Sequence, residues 1–163
     1  MAFPEEQDEL ATAVGEALLA RGARIAVAES TAGGLISLRL LSVPGASRWF
    51  ERGVVAYSGQ AKVDALGVDR DLLREHGAVS AISVTAMAES IRHRAGVEYA
   101  VAESGIAGPL GSHRSPKPVG SVVIAVAGPA GTKSAELRFD GSRAQVMQEI
   151  ARTCLEMILG ELR

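Results

Sequence analysis

Ile25-Ala26-Val27-Ala28-Glu29-Ser30-Thr31-Ala32-Gly33-Gly34-Leu35-Ile36-Ser37-Leu38 is the stretch that decides the fold, because an apolar run gives way, across a turn of small residues, to a helix-like segment. A strand feeding a helix through a tight turn is the repeating unit of α/β domains. Ser30 stands at the junction. A hydroxyl placed there sits among free backbone N–H groups at the positive end of a helix, which can stabilise the oxyanion formed when it attacks a carbonyl. Taken alone, the position also reads more plainly: Ser30 or Thr31 as a helix N-cap, with Gly33 and Gly34 allowing close helix–sheet packing. Caps are far commoner than nucleophiles, and the stretch itself supplies no base. A candidate base lies downstream in Val54-Val55-Ala56-Tyr57-Ser58-Gly59-Gln60-Ala61-Lys62, where a β-branched run ends in a tyrosine and a lysine follows at the start of a helix.

Composition bounds the rest. A chain of 163 residues that is 47% hydrophobic is long enough for a single domain, residues 1–163, with a sizeable core, and too short for two of ordinary size. A formal net charge of −2 with 4% aromatic residues offers neither the basic footprint nor the stacking platforms of a nucleic-acid binder. Small molecules are the expected partners. Cys154 is the single cysteine, so no internal disulfide and no cysteine-based metal cluster can form. His76, His93 and His113 show no metal-ligand spacing, Met1 to Glu9 is too acidic for a targeting peptide, and the apolar runs fall short of membrane-spanning length. The expectation is a cytoplasmic protein without metal, cofactor or membrane partner.

Outward from the opening stretch, Glu5 to Arg21 carries Leu10, Val14, Ala17 and Leu18 at helical spacing and is closed by Gly22. Arg24–Glu29 is then a strand and Thr31–Leu41 a helix, followed by a turn at Ser42-Val43-Pro44-Gly45 and a buried strand over Gly53–Tyr57. Two short helices are expected over 61–66 and 71–74, and a longer one over Ser80–Arg94. Strands follow over Glu98–Ser104, Gly120–Ala127 and Lys133–Phe139, the last two joined by Gly128-Pro129-Ala130-Gly131, and a helix over Ser142–Leu162 closes the chain. The alternation predicts a three-layer α/β/α sandwich whose sheet is mainly parallel with an antiparallel edge. No internal repeat, low-complexity tract or linker is read. Gly131-Thr132-Lys133-Ser134 lacks the glycine spacing of a phosphate loop and reads as a turn, and no G-x-G-x-x-G follows the first strand. Sites in such sheets gather at the carboxyl ends of strands, which brings Glu29-Ser30, Tyr57-Ser58 and Ser104-Gly105 to one edge, beside the long loop from Gly105 to Pro118.

Five ordered motifs carry a resemblance: Ala28-Glu29-Ser30-x-x-Gly33-Gly34, Gly53-Val54-Val55-Ala56-Tyr57-Ser58-x-x-Ala61-Lys62, His76-Gly77-Ala78-Val79-Ser80, Gly105-Ile106-Ala107-Gly108-Pro109 and Lys117-Pro118-Val119-Gly120. Together they resemble the CinA C-terminal domain family, which includes the stand-alone nicotinamide-nucleotide amidases of the PncC type, over nearly the whole chain. The resemblance implies a three-layer α/β/α fold, a homo-oligomer, and deamidation of nicotinamide mononucleotide to nicotinate mononucleotide with release of ammonia. It implies a serine–lysine mechanism without metal. By position the family's nucleophile falls on Ser30, its base on Lys62, its tyrosine on Tyr57, its hydroxyl before the Gly-Ile-Ala-Gly-Pro motif on Ser104 and its late arginine on Arg143. Thr31, Gly33, Gly34 and Gly105 fall among its substrate-binding positions. The chain departs from the family pattern at Thr31-Ala32, at Gly59, at Glu103, where a small or neutral residue is usual, and in the loop after Pro109.

For Lys62 to act as a base its pKa must fall from about 10.4 toward neutrality, which burial and a place in the first turn of a helix would favour. Tyr57 is expected to hydrogen-bond that base or stack on the substrate ring. Arg143, aided by Lys117 or Arg114, is expected to pair with the phosphate. Glu29 reads either as a partner of Lys62 or as an acceptor of backbone N–H groups. Glu103 reads as a hindrance, facing either the phosphate or the base, so that Glu103→Ser leaves activity equal or higher. Two other readings stay open: a nucleotide-binding or regulatory module without turnover, which would bind the nucleotide without releasing ammonia, and an amidase for a different small amide.

Overall fold

The computed structural model describes residues 8–109 and 115–163. Helix α1 (Glu9–Arg21) is capped at its start by Asp8, whose side chain accepts from the Ala11 N–H, and ends at Gly22 in the left-handed conformation. It leads into β1 (Ile25–Glu29), α2 (Leu35–Leu41), a single 3₁₀ turn (Ala46–Arg48) and β2 (Phe50–Val55). Helices α3 (Gly59–Leu66), α4 (Arg70–His76) and α5 (Ala81–Ala95) precede β3 (Tyr99–Gly105), the hairpin of β4 (Ser121–Gly128) and β5 (Gly131–Arg138), and α6 (Arg143–Glu161). The part of the first helix expected before Asp8, and the expected loop residues 110–114, lie outside the described residues.

The five strands form one mixed sheet in the order β2-β1-β3-β4-β5. β1 pairs in parallel with β2 and β3, whereas β3–β4 and β4–β5 are antiparallel, so the antiparallel part is as large as the parallel part. Strand alternation sorts the side chains into two cores. Ile25, Val27, Val101, Ile124 and Val126 meet Leu18, Ile36, Ile150 and Leu155 from α1, α2 and α6. On the other face Ala26, Ala28, Ala100, Ala102, Ala125 and Ala127 let α5 lie close, with Val84, Met87, Ala88 and Ile91 against them. A fold of three layers, α/β/α, results.

Two expected elements differ. β2 runs over Phe50–Val55 rather than 53–57 and is half exposed, because it pairs with β1 alone and forms an edge of the sheet. The helix expected over 31–41 begins only at Leu35. Gly33 and Gly34 adopt φ of +65° and +104°, so residues 30–34 form a turn that no run of side-chain-bearing residues would follow.

Candidate active site

The carboxyl ends of β1, β2 and β3 point to one edge of the sheet, and the turn after β1 crosses that edge. Neither Ser30 nor Thr31 is an N-cap. That place falls to Gly34, which has no side chain to offer. Glu29 does the cap's work from the end of β1: one carboxylate oxygen accepts from the N–H groups of Gly34 at 2.8 Å and Ile36 at 3.1 Å. Its other oxygen accepts from the Ser37 N–H at 2.8 Å and hydroxyl at 2.6 Å. Of the two roles expected for Glu29, the structure shows the acceptor of backbone N–H groups.

Ser30, freed from capping, turns its hydroxyl to Lys62. The Lys62 Nζ lies 2.8 Å from Ser30 Oγ and 2.9 Å from each of the carbonyl oxygens of Ala56 and Tyr57. Lys62 reaches them from the first turn of α3, which is started by the Ser58 side chain on the Ala61 N–H. Both partners are almost sealed from solvent, Ser30 at 4% and Lys62 at 1% exposure. Burial lowers the Lys62 pKa from its ordinary value, and the carboxylate of Glu103 opposes the shift. The three contacts have a chemical meaning. An ammonium fills them with three donated hydrogens, whereas a neutral amine donates two to the carbonyls and directs its lone pair at Ser30 Oγ. Deprotonated Lys62 is therefore already oriented to take the serine proton.

Glu103 enters from β3, and its charge acts on Lys62 in the direction expected of a carboxylate near that amine. Its Oε1 accepts from the backbone N–H of Ser30 at 2.5 Å and of Ala32 at 2.9 Å. Its Oε2 is buried with no hydrogen-bond partner among the described residues. Burial pushes the carboxyl up to about 7, the two N–H groups pull it down, Glu29 adds to the rise and Lys62 opposes it. Thr31 makes the other tie to β3: its hydroxyl donates to the Gly105 carbonyl at 2.9 Å and accepts from the Gly105 N–H at 2.7 Å. A Cβ on Gly105 would meet Val122 at 2.8 Å, so that close approach requires glycine. Ser104 is buried beside them.

With these bonds assigned, the expected oxyanion donors narrow. The N–H groups of Ser30, Ala32, Gly34 and Ile36 are held by the two carboxylates, and that of Leu35 by the Ala32 carbonyl. Those of Thr31 and Gly33 have no acceptor among the described residues. Tyr57 touches Lys62 only through its carbonyl, and its side chain is 70% exposed. Arg143 is exposed at the first residue of α6 and lies over the loop, with its guanidinium 2.8 Å from where a Cβ on Gly108 would stand. Lys117 pairs with Glu136 at 3.6 Å, and Arg114 is outside the described residues. An apolar cleft of about 240 Å³, lined by His76, Val79, Ile106, Pro116 and Lys117, opens past the end of β3. The residue that sequence patterns did not place is Glu103, together with the Ala56 carbonyl that holds the Lys62 amine. Among the described residues no three His, Cys, Asp or Glu side chains group as a metal site, and no helix is long and apolar enough to cross a membrane. Cys154 is buried beneath the turn, where burial and the charges of Glu103 and Glu29 raise its thiol pKa.

Comparison with known proteins gives a consistent result. The pattern of the CinA C-terminal domain matches residues 7–162. A CinA-like protein of Anaeromyxobacter sp. (strain K) is 44% identical over 99% of this chain, which corresponds to 39% of the relative. One from Syntrophobacter fumaroxidans is 46% identical over 89% of this chain and 34% of its own length. The chain thus spans less than two-fifths of the length of these curated relatives. Among solved structures, the competence-damaged protein (CinA) superfamily protein of Klebsiella pneumoniae is similar at a TM-score of 0.91 and 33% identity, covering 97% of this chain and 98% of that one. The competence/damage inducible protein CihA of Agrobacterium tumefaciens is similar at 0.90 and 36%, covering 98% of each.

Proposed function

The chain belongs to the CinA C-terminal domain family, and from that premise and the contact of Lys62 with Ser30 we propose that it is an amidohydrolase converting nicotinamide mononucleotide to nicotinate mononucleotide and ammonia. The observation that carries the reading is the Lys62 Nζ held 2.8 Å from Ser30 Oγ by two carbonyl acceptors. Ser30 Oγ attacks the carboxamide carbon while Lys62 Nζ takes its proton. The tetrahedral oxyanion is held by the N–H groups of Thr31 and Gly33. As it collapses, Lys62 returns the proton to the departing nitrogen and ammonia leaves. Water then attacks the acyl-enzyme with Lys62 again as base, and the acid is released from Ser30. Arg143, at the positive end of the 19-residue helix α6, suits a phosphate dianion at the mouth of the site.

Incubation of the purified chain with nicotinamide mononucleotide tests this, with ammonia and nicotinate mononucleotide expected in equal amounts. Ser30→Ala and Lys62→Ala are each expected to lower kcat by about a thousandfold or more, and the double variant to be hardly worse, because nucleophile and base act as a unit. Turnover near the original level in Ser30→Ala defeats the mechanism. Arg143→Ala should narrow the preference for the nucleotide over nicotinamide riboside, a preference expected at about one to two decades in kcat/KM. Equal efficiency on the two substrates in the unaltered chain points to a different small amide, and binding without ammonia release to a non-catalytic module.

A further inference from the structure

We propose that Glu103 is a positioning residue for the nucleophile: its carboxylate fixes the Ser30–Ala32 turn and so keeps Ser30 Oγ directed at Lys62. The inference rests on the Ser30–Lys62 reading just given. Its support is geometric. A single oxygen of Glu103 gathers the N–H groups that flank Thr31, at 2.5 Å from Ser30 and 2.9 Å from Ala32. The nucleophile is therefore tied at its own backbone, and Ser30 Oγ is left directed at Lys62. Drawing these two N–H groups down also leaves the alternate pair, Thr31 and Gly33, for the oxyanion. Glu29 cannot do this work, because its four contacts lie farther along, at Gly34, Ile36 and Ser37.

The effect on Lys62 comes from the charges around the carboxylate. Glu29 on β1, Lys62 on α3 and the Cys154 thiol on α6 are the titratable groups that act on Glu103 or feel its charge, while β4 brings only Ile124 opposite it. Lys62 is the one cation among them. A negative Glu103 holds the lysine proton more tightly, against the burial that expels it. Its loss should therefore free Lys62 to act as a base at lower pH.

The test compares Glu103→Ala and Glu103→Gln by two readouts, ammonia release from nicotinamide mononucleotide and covalent labelling of Ser30 by a fluorophosphonate, each followed against pH. Glu103→Ala removes the acceptor of two buried N–H groups. It should lower kcat and the labelling rate by about 10–100-fold, with KM changed less than about threefold, as displacement of a reacting atom does. Glu103→Gln keeps an oxygen for both N–H groups and should recover to within about threefold, with the acid limb of both profiles moved to lower pH. A purely structural role would lower thermal stability in both variants and leave the limb where it was. Labelling of Glu103→Ala at the original rate with an unmoved limb overturns the proposal. So does an unmoved limb in Glu103→Gln, which decides the matter should Glu103→Ala fail to fold. Labelling of Ser30 without ammonia release in the unaltered chain removes the proposed substrate and leaves the labelling rates to judge Glu103. No labelling at all removes both.

Discussion

The pentapeptide Ala-Val-Ala-Glu-Ser occurs twice, at 26–30 and at 100–104. The parallel register of β1 and β3 sets the copies side by side, Ala26 with Ala100, Val27 with Val101 and Ala28 with Ala102. Identical side chains then come to different ends. Among the described residues Glu29 has four donors on its two oxygens, whereas Glu103 has two on one oxygen and none on the other. Ser30 meets a lysine, and Ser104 lies buried at the end of a strand. The residues C-terminal to each copy make the difference. After Ser30 the two left-handed glycines bend the chain into α2, whose first N–H groups descend on Glu29. After Ser104 the chain continues through Gly105, which is paired with Val122 of β4, so no helix start arrives to satisfy Glu103. Both carboxylates are fully buried, so donors rather than depth distinguish them.

The same isosteric change made in each copy is the strongest way to break this comparison. In Glu29→Gln the amide NH₂ must oppose either the Gly34 and Ile36 N–H groups or that of Ser37, and charge-assisted bonds are lost along with the clash. The expected cost is about 4 kcal/mol, a fall in Tm of roughly 10 °C for a chain of this size. In Glu103→Gln the NH₂ replaces an oxygen that had no partner, and the change at neutral pH should stay within about 1 kcal/mol. Thermal unfolding of the two variants checks this. Equal shifts in Tm mean that the donor count carries no energetic weight.

Much of this was legible in the sequence, and the failures have physical causes. Helices α1, α3, α4, α5 and α6 are marked by periodic apolar residues, by caps such as Ser58, Ser80 and Ser142, and, in all but α6, by closing glycines. The sheet follows from alternation, and the edge gathering Glu29-Ser30, Tyr57-Ser58 and Ser104-Gly105 follows from strand polarity. The start of α2 did not, because the cap comes from Glu29, a strand residue that local cap patterns ignore. The exposure of β2 did not, because Gly53-Val54-Val55 reads the same in a central strand as at an edge. Glu103 was visible as the charge ending an apolar run, but its contact with the Ser30 turn depends on the pairing of β3 with β1, which no local window holds. The repeated pentapeptide was the available signal for that pairing.

The next effect in size concerns pH and separates the copies further. The Glu103 carboxyl is raised from 4.5 to about 7 in the folded chain by burial. Between those values the folded state holds a proton that the unfolded state has released, so this group makes stability fall as pH rises from about 4.5 to about 7 and level off above. The fall is on the order of 3 kcal/mol. Lys62, whose pKa is lowered, contributes with the opposite sign. Stability of Glu103→Gln relative to the unaltered chain should therefore improve across this interval, as denaturant midpoints at a series of pH values would show. A difference that stays constant with pH shows that Glu103 does not titrate in the fold.

Thr31→Val is the smallest change and the most direct probe of what Glu103 adds, because Thr31 is the other tie between the turn and β3 and sits between the two N–H groups that Glu103 holds. Valine keeps the shape of the buried side chain and removes the oxygen that both donates to and accepts from Gly105. Losing these two neutral contacts should cost about 1–2 kcal/mol, or roughly 4 °C in Tm. The backbone of Ser30 would still be held by a charged acceptor, so kcat is expected to stay within about threefold of the original and the pH limb to stay in place. The combination with Glu103→Ala sharpens the point. If the carboxylate alone positions the nucleophile, the loss of kcat in the double variant equals that of Glu103→Ala, while the stability losses of neighbours in one network fail to add. If Thr31→Val by itself lowers kcat as far as Glu103→Ala does, any tie between the turn and β3 suffices, and the second glutamate of the repeated pentapeptide has no special place in the site.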